Sequence, residues 1–157
     1  MPHPKIGNLA PVFSLPDQDG NLVNLKDFKG KNPVVLFFYP KALTPGCTTQ
    51  ACGIRDIKAE LENRGVQVFG ISPDPVKRLP KFIEKHGLNF PLLSDEDHAV
   101  ADKYGCWGLK KFMGKEFMGL IRTTYIIGQD GRLAAIMDTF KTKTHHDDLL
   151  TALDALP

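Results

Sequence analysis

Residues 33–56 read PVVLFFYPKALTPGCTTQACGIRD. The first seven of them form an unbroken apolar, β-rich run, the pattern of a strand covered on both faces. Pro40 closes the run and restricts Tyr39 to extended backbone. Thr44 then suits an N-cap, and Pro45 suits the first helical position, where its missing N–H would have no partner anyway. The pattern predicts a helix from Pro45 to Asn63, with Gly65 at its C-terminal end. A doubly covered strand feeding a helix begins a parallel crossover, and that sets the α/β class.

Working outward, VQVFGIS (66–72) is a second buried strand and VKRLPKFIEKHG (76–87) a helix with Pro80 near its start or at a kink. FPLLS (90–94) is a short strand, and DEDHAVADKYG (95–105) a helix that Ser94 would cap. On the N-terminal side, PVFSLPDQDGNLVNL (11–25) has the form of a hairpin turning at DQDG. Beyond the third helix, FMGKEFMG (112–119) reads as a glycine-containing loop with apolar anchors. GLIRTTYIIGQDGRLAAIMDTF (119–140) reads as two strands joined by a QDG turn, and HHDDLLTALDAL (145–156) as a helix capped by Thr144. The predicted order is ββ, then β-α-β-α-β-α, then ββα: a thioredoxin-like fold with an N-terminal β-hairpin and a central mixed sheet flanked by helices.

The chain has 157 residues, enough for one domain (1–157) with a real core. Its 20 basic and 18 acidic residues are well mixed, so charge gives no reason to expect nucleic acid or a membrane surface as partner. MPHPKIGNLAPVF lacks an apolar run of signal length, and no segment approaches the ~18 apolar residues of a membrane span. A cytoplasmic setting is expected. There, disulfides are usually transient and chemical, and three cysteines make an odd set for a static framework.

Two of those cysteines, Cys47 and Cys52, lie five residues apart at the start of the predicted helix. Cys47 falls in the first turn, among backbone N–H groups without helical partners and at the positive end of the dipole. That setting favours the thiolate, which is the nucleophile. A helix terminus supplies only about 0.3–1 kcal/mol, rising to ~2 when partly buried, so a cation or further hydrogen bonds must contribute. Arg122, the only charge in Gly119–Gly128, is the leading candidate, because a buried arginine without an anion is costly. On an ideal helix, residues five apart have Cα atoms roughly 8.7 Å apart and point about 140° apart. A disulfide needs about 4.4–6.8 Å, so Cys47 and Cys52 can bond only if the first turn unwinds. Pro45 and Gly46 make that turn easy to give up.

Pro40, Thr44 and Cys47 in PKALTPGC match the P-x-x-x-T-x-x-C signature of peroxiredoxins. The longer FFYPKALTPGCTTQACGIRD resembles the bacterioferritin comigratory protein, or PrxQ, subfamily. Similarity runs on through LLSDEDHAVADKYG, WGLKKFMGKEFMGLIRTTYII and FKTKTHHDDLL, across essentially the whole chain. The resemblance implies a thioredoxin-fold thiol peroxidase acting on hydrogen peroxide and organic hydroperoxides without metal, haem or other cofactor. It implies Cys47 as the peroxidatic cysteine, Thr44 in hydrogen-bond contact with the peroxide, Pro40 shielding the sulfenic acid, and Arg122 stabilising the thiolate and polarising the O–O bond. It further implies Cys52 as the resolving thiol, thioredoxin or a similar dithiol as reductant, and a monomer. Cys106, in YGCWG, is expected to be a bystander.

Other stretches take plainer readings. THHDD (144–148) is a capped first turn with acidic residues near the dipole's positive end, because adjacent histidines point about 100° apart and coordinate poorly together. SDEDH (94–98) lacks the spaced ligands and central glycine of a calcium loop. Trp107, Phe112 and Phe117 could line the approach to Cys47 or simply pack. TPGC has Thr44 where a C-x-x-C reductase would place its first cysteine, which argues against a disulfide reductase. A redox sensor using the same cysteine pair is the non-enzymatic alternative.

Overall fold

The computed structural model describes residues 3–156, and of Phe112 the backbone alone. At its centre is β3 (Val34–Phe38), all five residues buried. β4 (Gln67–Ser72) runs parallel to it in the register Val34↔Gln67 to Phe38↔Ile71, and β5 (Leu92–Ser94) parallel to β4. On the other flank β8 (Thr123–Ile127) is antiparallel to β3, and β9 (Leu133–Met137) antiparallel to β8. The sheet order is therefore β5-β4-β3-β8-β9, mixed as expected. Two separate hairpins accompany it: β1 (Ser14–Pro16) with β2 (Leu22–Asn24), and β6 (Trp107–Phe112) with β7 (Lys115–Leu120). The first turns at residues 17–21, where the Asp17 carboxylate accepts the Asp19 and Asn21 amides and Gly20 takes positive φ.

Successive residues of β3 face opposite sides, so the sheet separates two cores. Val34, Leu36 and Phe38 pack with Phe69, Tyr104, Tyr125 and Cys106. Val35, Phe37 and Tyr39 pack with Cys47, Ile54, Leu61, Phe82 and Leu149. Helices α1 (Pro45–Asp56), α2 (Lys58–Asn63), α3 (Leu79–His86) and α5 (His145–Asp154) contribute to the second core, and α4 (Ala99–Tyr104) to the first. Among the described residues no helix is long and apolar enough to cross a membrane.

The structure corrects several sequence expectations. The helix predicted over Pro45–Asn63 breaks at Ile57 (φ −103°, ψ 7°), so α1 and α2 are distinct; Gly65 does close α2, with φ 71°. FMGKEFMG is the tip and return strand of the β6–β7 hairpin. Met113 and Gly114 both have positive φ (51° and 77°), the requirement of a tight two-residue turn. The neutral run Gly119–Gly128 is consequently two strands, the end of β7 and all of β8. Arg122 lies in the kink between them rather than on a strand.

Ser94 ends β5 and donates to the Asp74 carbonyl, so it does not cap α4. His98 holds the N-cap position with φ 52°, and the Asp95 carboxylate accepts the Val100 and Ala101 amides in place of a serine cap. Thr144 occupies the N-cap position of α5 without making a side-chain cap bond.

Candidate active site

The site forms where β3 hands over to α1. Pro40 follows the strand and is half-buried. The loop after it is pinned from β4: the buried Asp74 carboxylate accepts the Ala42 amide (2.8 Å) and the Ser72 hydroxyl (2.7 Å), and its other oxygen takes Arg78 Nη1 at 3.1 Å. Leu43 has φ 67°, a left-handed turn uncommon for a branched residue, which carries the chain round to Thr44.

Thr44 has the extended backbone of an N-cap (φ −84°, ψ 155°), and its carbonyl accepts the Thr48 amide. Its hydroxyl does not cap the helix. It donates instead to the Lys41 carbonyl at 2.7 Å. With that single proton committed, the hydroxyl oxygen is left as an acceptor, and the first-turn amides of Gly46 and Cys47 stay free of a side-chain cap. Cys47 is 1% exposed, Cys52 half-buried, and both are free thiols.

Arg122 arrives from the kink between β7 and β8. A methyl placed on Gly46 would stand 3.4 Å from its Nη2, so the guanidinium rests on the residue preceding Cys47. Its Nη1 donates to Gln50 Oε1 at 2.6 Å. Gln50 is fully buried on α1, one turn beyond Cys47, and its Nε2 has no partner among the described residues. The partner of Arg122 is thus a neutral amide, and no carboxylate among the described residues lies within 4 Å of the guanidinium to neutralise it. The positive charge remains available to an anion at the helix N-terminus.

Sequence reading missed Gln50, which reads as one more polar residue of TTQ, and Asp74, in SPDP. A signal for Asp74 existed: an acidic residue just beyond the carboxyl end of a buried parallel strand stands where such sheets place their sites. Of the two readings open for Trp107 and Phe117, packing is the one observed. Arg122 and Thr142, which abut Gly46, also line a depression shared with Lys110, Ile121, Asp138 and Phe140 among others. Trp107 is stacked on His98 (centroids 3.8 Å apart) and Phe117 lies over Gly119, so neither lines it; the side chain of Phe112 lies outside the described residues.

Cys106 is fully buried in the core on the other face of the sheet from Cys47. Burial, outweighing a hydrogen bond with Tyr125, pushes its pKa up to about 12, which makes it a poor nucleophile.

Helix α5 backs α1. The two histidines of THHDD face different partners: His145 Nε2 lies 2.8 Å from Thr124 Oγ1, and His146 is wedged against Gly53, where a methyl would come within 2.5 Å of its Nδ1. Burial, with Arg122 and His146 adding repulsion, pushes the His145 pKa down from 6.5 to about 3. The fold therefore favours the neutral ring. Its contribution to stability is complete above pH 6.5 and drains as the pH falls toward 3, because the unfolded chain binds a proton that the folded one refuses. Between pH 7 and pH 4.5 this linkage should remove about 2–3 kcal/mol. Urea unfolding of wild type and His145→Gln at the two pH values measures it; an equal pH loss in both proteins would contradict it.

A mixed sheet of this order, carrying a buried cysteine in the first turn of the helix after its central strand, defines a thioredoxin-like protein with a thiol centre. The chain belongs to the AhpC/TSA family, whose pattern matches residues 6–136, and within it to the peroxiredoxins of the bacterioferritin comigratory protein (Bcp) or PrxQ group. It is 54% identical over 149 residues to peroxiredoxin Bcp of Escherichia coli strain K12, covering 95% of each chain. Among solved structures, peroxidoxin BcpB of Mycobacterium tuberculosis is similar with a TM-score of 0.85 at 39% identity, over 98% of each chain. A PrxQ variant from Xylella fastidiosa gives a TM-score of 0.91 at 28% identity, over 99% of this chain and 98% of that one. The Xanthomonas campestris bacterioferritin comigratory protein, studied for its alkyl peroxide reduction activity, gives 0.85 at 31% identity, over 91% of this chain and 90% of that one.

Proposed function

We propose that this peroxiredoxin reduces hydrogen peroxide and organic hydroperoxides through Cys47, resolves the product with Cys52, and is recycled by thioredoxin or a similar dithiol. The observation that carries the reading is the meeting of Arg122, its charge unneutralised, with free first-turn amides at Gly46 and Cys47. Those groups stabilise a thiolate before reaction and the charge that develops on the peroxide during it. Thr44, with its proton held by Lys41, accepts the peroxide O–H and turns the terminal oxygen toward sulfur. Pro40 closes the water side. An organic hydroperoxide as substrate is supported by the activity studied in the Xanthomonas relative.

The Cys47 thiolate attacks the terminal oxygen, the O–O bond breaks, and the departing oxygen leaves as alcohol or water once protonated. Cys47 becomes a sulfenic acid, on the reversible rung of cysteine oxidation. Unwinding of the first turn of α1 then lets Cys52 attack that sulfur and expel water, forming the disulfide that the external dithiol reduces by exchange. Cys106, behind the sheet, takes no part. The protein is expected to act as a cytoplasmic monomer.

The test is peptide-level mass spectrometry after one equivalent of hydrogen peroxide, on wild type and Cys52→Ser. The expected products are a Cys47–Cys52 disulfide in the first and a Cys47 sulfenic acid in the second. A disulfide to Cys106 or between chains would overturn the resolving step, and an unoxidised Cys47 the whole reading.

A further inference from the structure

The β6–β7 hairpin presents an unusual face to the active site. Gly108 pairs directly with Gly119, and Lys110 with Phe117, so these four residues share one side of the hairpin. The two glycines leave that side bare. A methyl on Gly108 would meet Ile121 Cδ1 at 3.2 Å, and one on Gly119 would meet the Lys110 stem at 3.1 Å. Lys110 therefore lies flat across Gly119, and its Nζ donates to the Leu120 carbonyl at 2.8 Å, two residues before Arg122. Lys110, Arg122 and Thr142 line the same depression, and both Arg122 Nη2 and Thr142 Cγ2 abut Gly46 (3.4 and 3.9 Å from a methyl placed there). The depression with the lysine on its wall is thus separated from the residue before Cys47 only by side chains, Arg122 and Thr142, that belong to both.

Two cations so close repel; Asp138 lines the same depression, but among the described residues no carboxylate lies within 4 Å of Lys110 Nζ, whereas the neighbouring Lys111 has Glu116 at 3.5 Å. Burial, with the Arg122 guanidinium adding to it, holds the Lys110 ammonium below the usual lysine range, partly offset by Cys47. One of its three N–H bonds is used on Leu120. The reaction proposed above creates two anions in turn. The thiolate is served by Arg122 and the helix amides. The second, the departing alkoxide or hydroxide, is far more basic and needs a proton, which an arginine cannot give up.

We propose that Lys110 is the general acid of this reaction, its Nζ delivering a proton to the oxygen that leaves when Cys47 attacks. The thiolate electron pair forms the S–O bond. The O–O pair passes to the distal oxygen, which takes the Nζ proton, and the neutral amine is reprotonated by solvent through the open depression. The assignment rests on the peroxidase reading of Cys47.

The test compares Cys47 oxidation rates in wild type, Lys110→Gln and Lys110→Arg. Hydrogen peroxide and tert-butyl hydroperoxide expel a basic oxygen; peracetic acid expels acetate, which departs without a proton. Alkylation of Cys47 by iodoacetamide reports the thiolate alone. Both variants should lose at least about ten-fold with the first two oxidants while staying within about two-fold of wild type with peracetic acid and iodoacetamide. Glutamine keeps a donor for Leu120, and arginine keeps the charge without a transferable proton. Uniform loss across all four reagents, no loss, or restoration of the hydrogen peroxide rate by arginine would each overturn the assignment. A wild-type Cys47 inert to every peroxide would instead overturn the peroxidase reading.

Discussion

Replacing Arg122 with methionine should slow oxidation of Cys47 by hydrogen peroxide by about 10²–10³-fold. The size follows from what the guanidinium does and from what little else can do it. The N-terminal amides of α1 remain after the substitution, but a helix end contributes only about 0.3–1 kcal/mol, up to ~2 in a partly buried site. A ten-fold change in rate corresponds to about 1.4 kcal/mol, so the amides alone fall short of a factor of a thousand. Methionine keeps an apolar stem over Gly46 while removing the charge. It also orphans Gln50 Oε1, a fully buried acceptor, at a cost of about 1–3 kcal/mol in stability. Pairing Arg122→Met with Gln50→Met removes both polar partners and should recover most of that stability without recovering rate. Quench-flow mixing with mass analysis of Cys47, beside urea unfolding, measures both quantities. A rate loss under five-fold, or one that returns with stability in the double variant, would show that Arg122 serves packing alone.

Replacing Asp74 with alanine is expected to destabilise the protein by about 3 kcal/mol. Its carboxylate gathers the Ala42 amide, the Ser72 hydroxyl and Arg78, and it is itself 2% exposed. Truncation strands the amide and the hydroxyl inside the protein, and each stranded donor costs about 1–3 kcal/mol. Part of the Arg78 ion pair can be replaced by water, because that side chain is 42% exposed. The loop from Pro40 to Thr44 would lose its anchor to β4, so peroxide oxidation of Cys47 should fall as well. Asp74→Asn retains one acceptor and should cost less in both respects. A loss below 1 kcal/mol in urea unfolding of the alanine variant would mean that the loop holds its shape without this carboxylate.

Features written within a few residues were legible from the chain. Val34–Phe38 could be read as a doubly covered strand because every residue in it is apolar, and the two cores on its faces confirm that. Thr44 and Cys47 could be placed at a helix start because Pro40 closes the strand and Pro45, between them, suits the first helical position. Arg122 stood out as a lone charge in a neutral run, although hydropathy could not show that the run changes strands at residues 121–122. What escaped depends on contacts distant in sequence. Gln50 matters through a residue 72 positions away, and Asp74 through an amide 32 positions away. The β6–β7 hairpin escaped because its turn uses Met113, a residue that rarely takes positive φ. The direction of the Thr44 hydroxyl was equally hidden, since a capping bond and the observed bond to Lys41 suit the same sequence.

The wedge of His146 on Gly53 has a consequence for the timing of turnover. Cys52 is bonded to that clamped residue, whereas Cys47 belongs to the end of α1 without a side-chain cap. If Cys52 resolves Cys47 as proposed, the clamp on Gly53 favours bringing residue 47 to residue 52. The residues that travel would then be those around Cys47, so closing the bond would dismantle the place where peroxide is met. Such an oxidised molecule would be refractory, ignoring further peroxide until a reductant lets the helix re-form. At high peroxide the ceiling on throughput would be set by the supply of reducing equivalents.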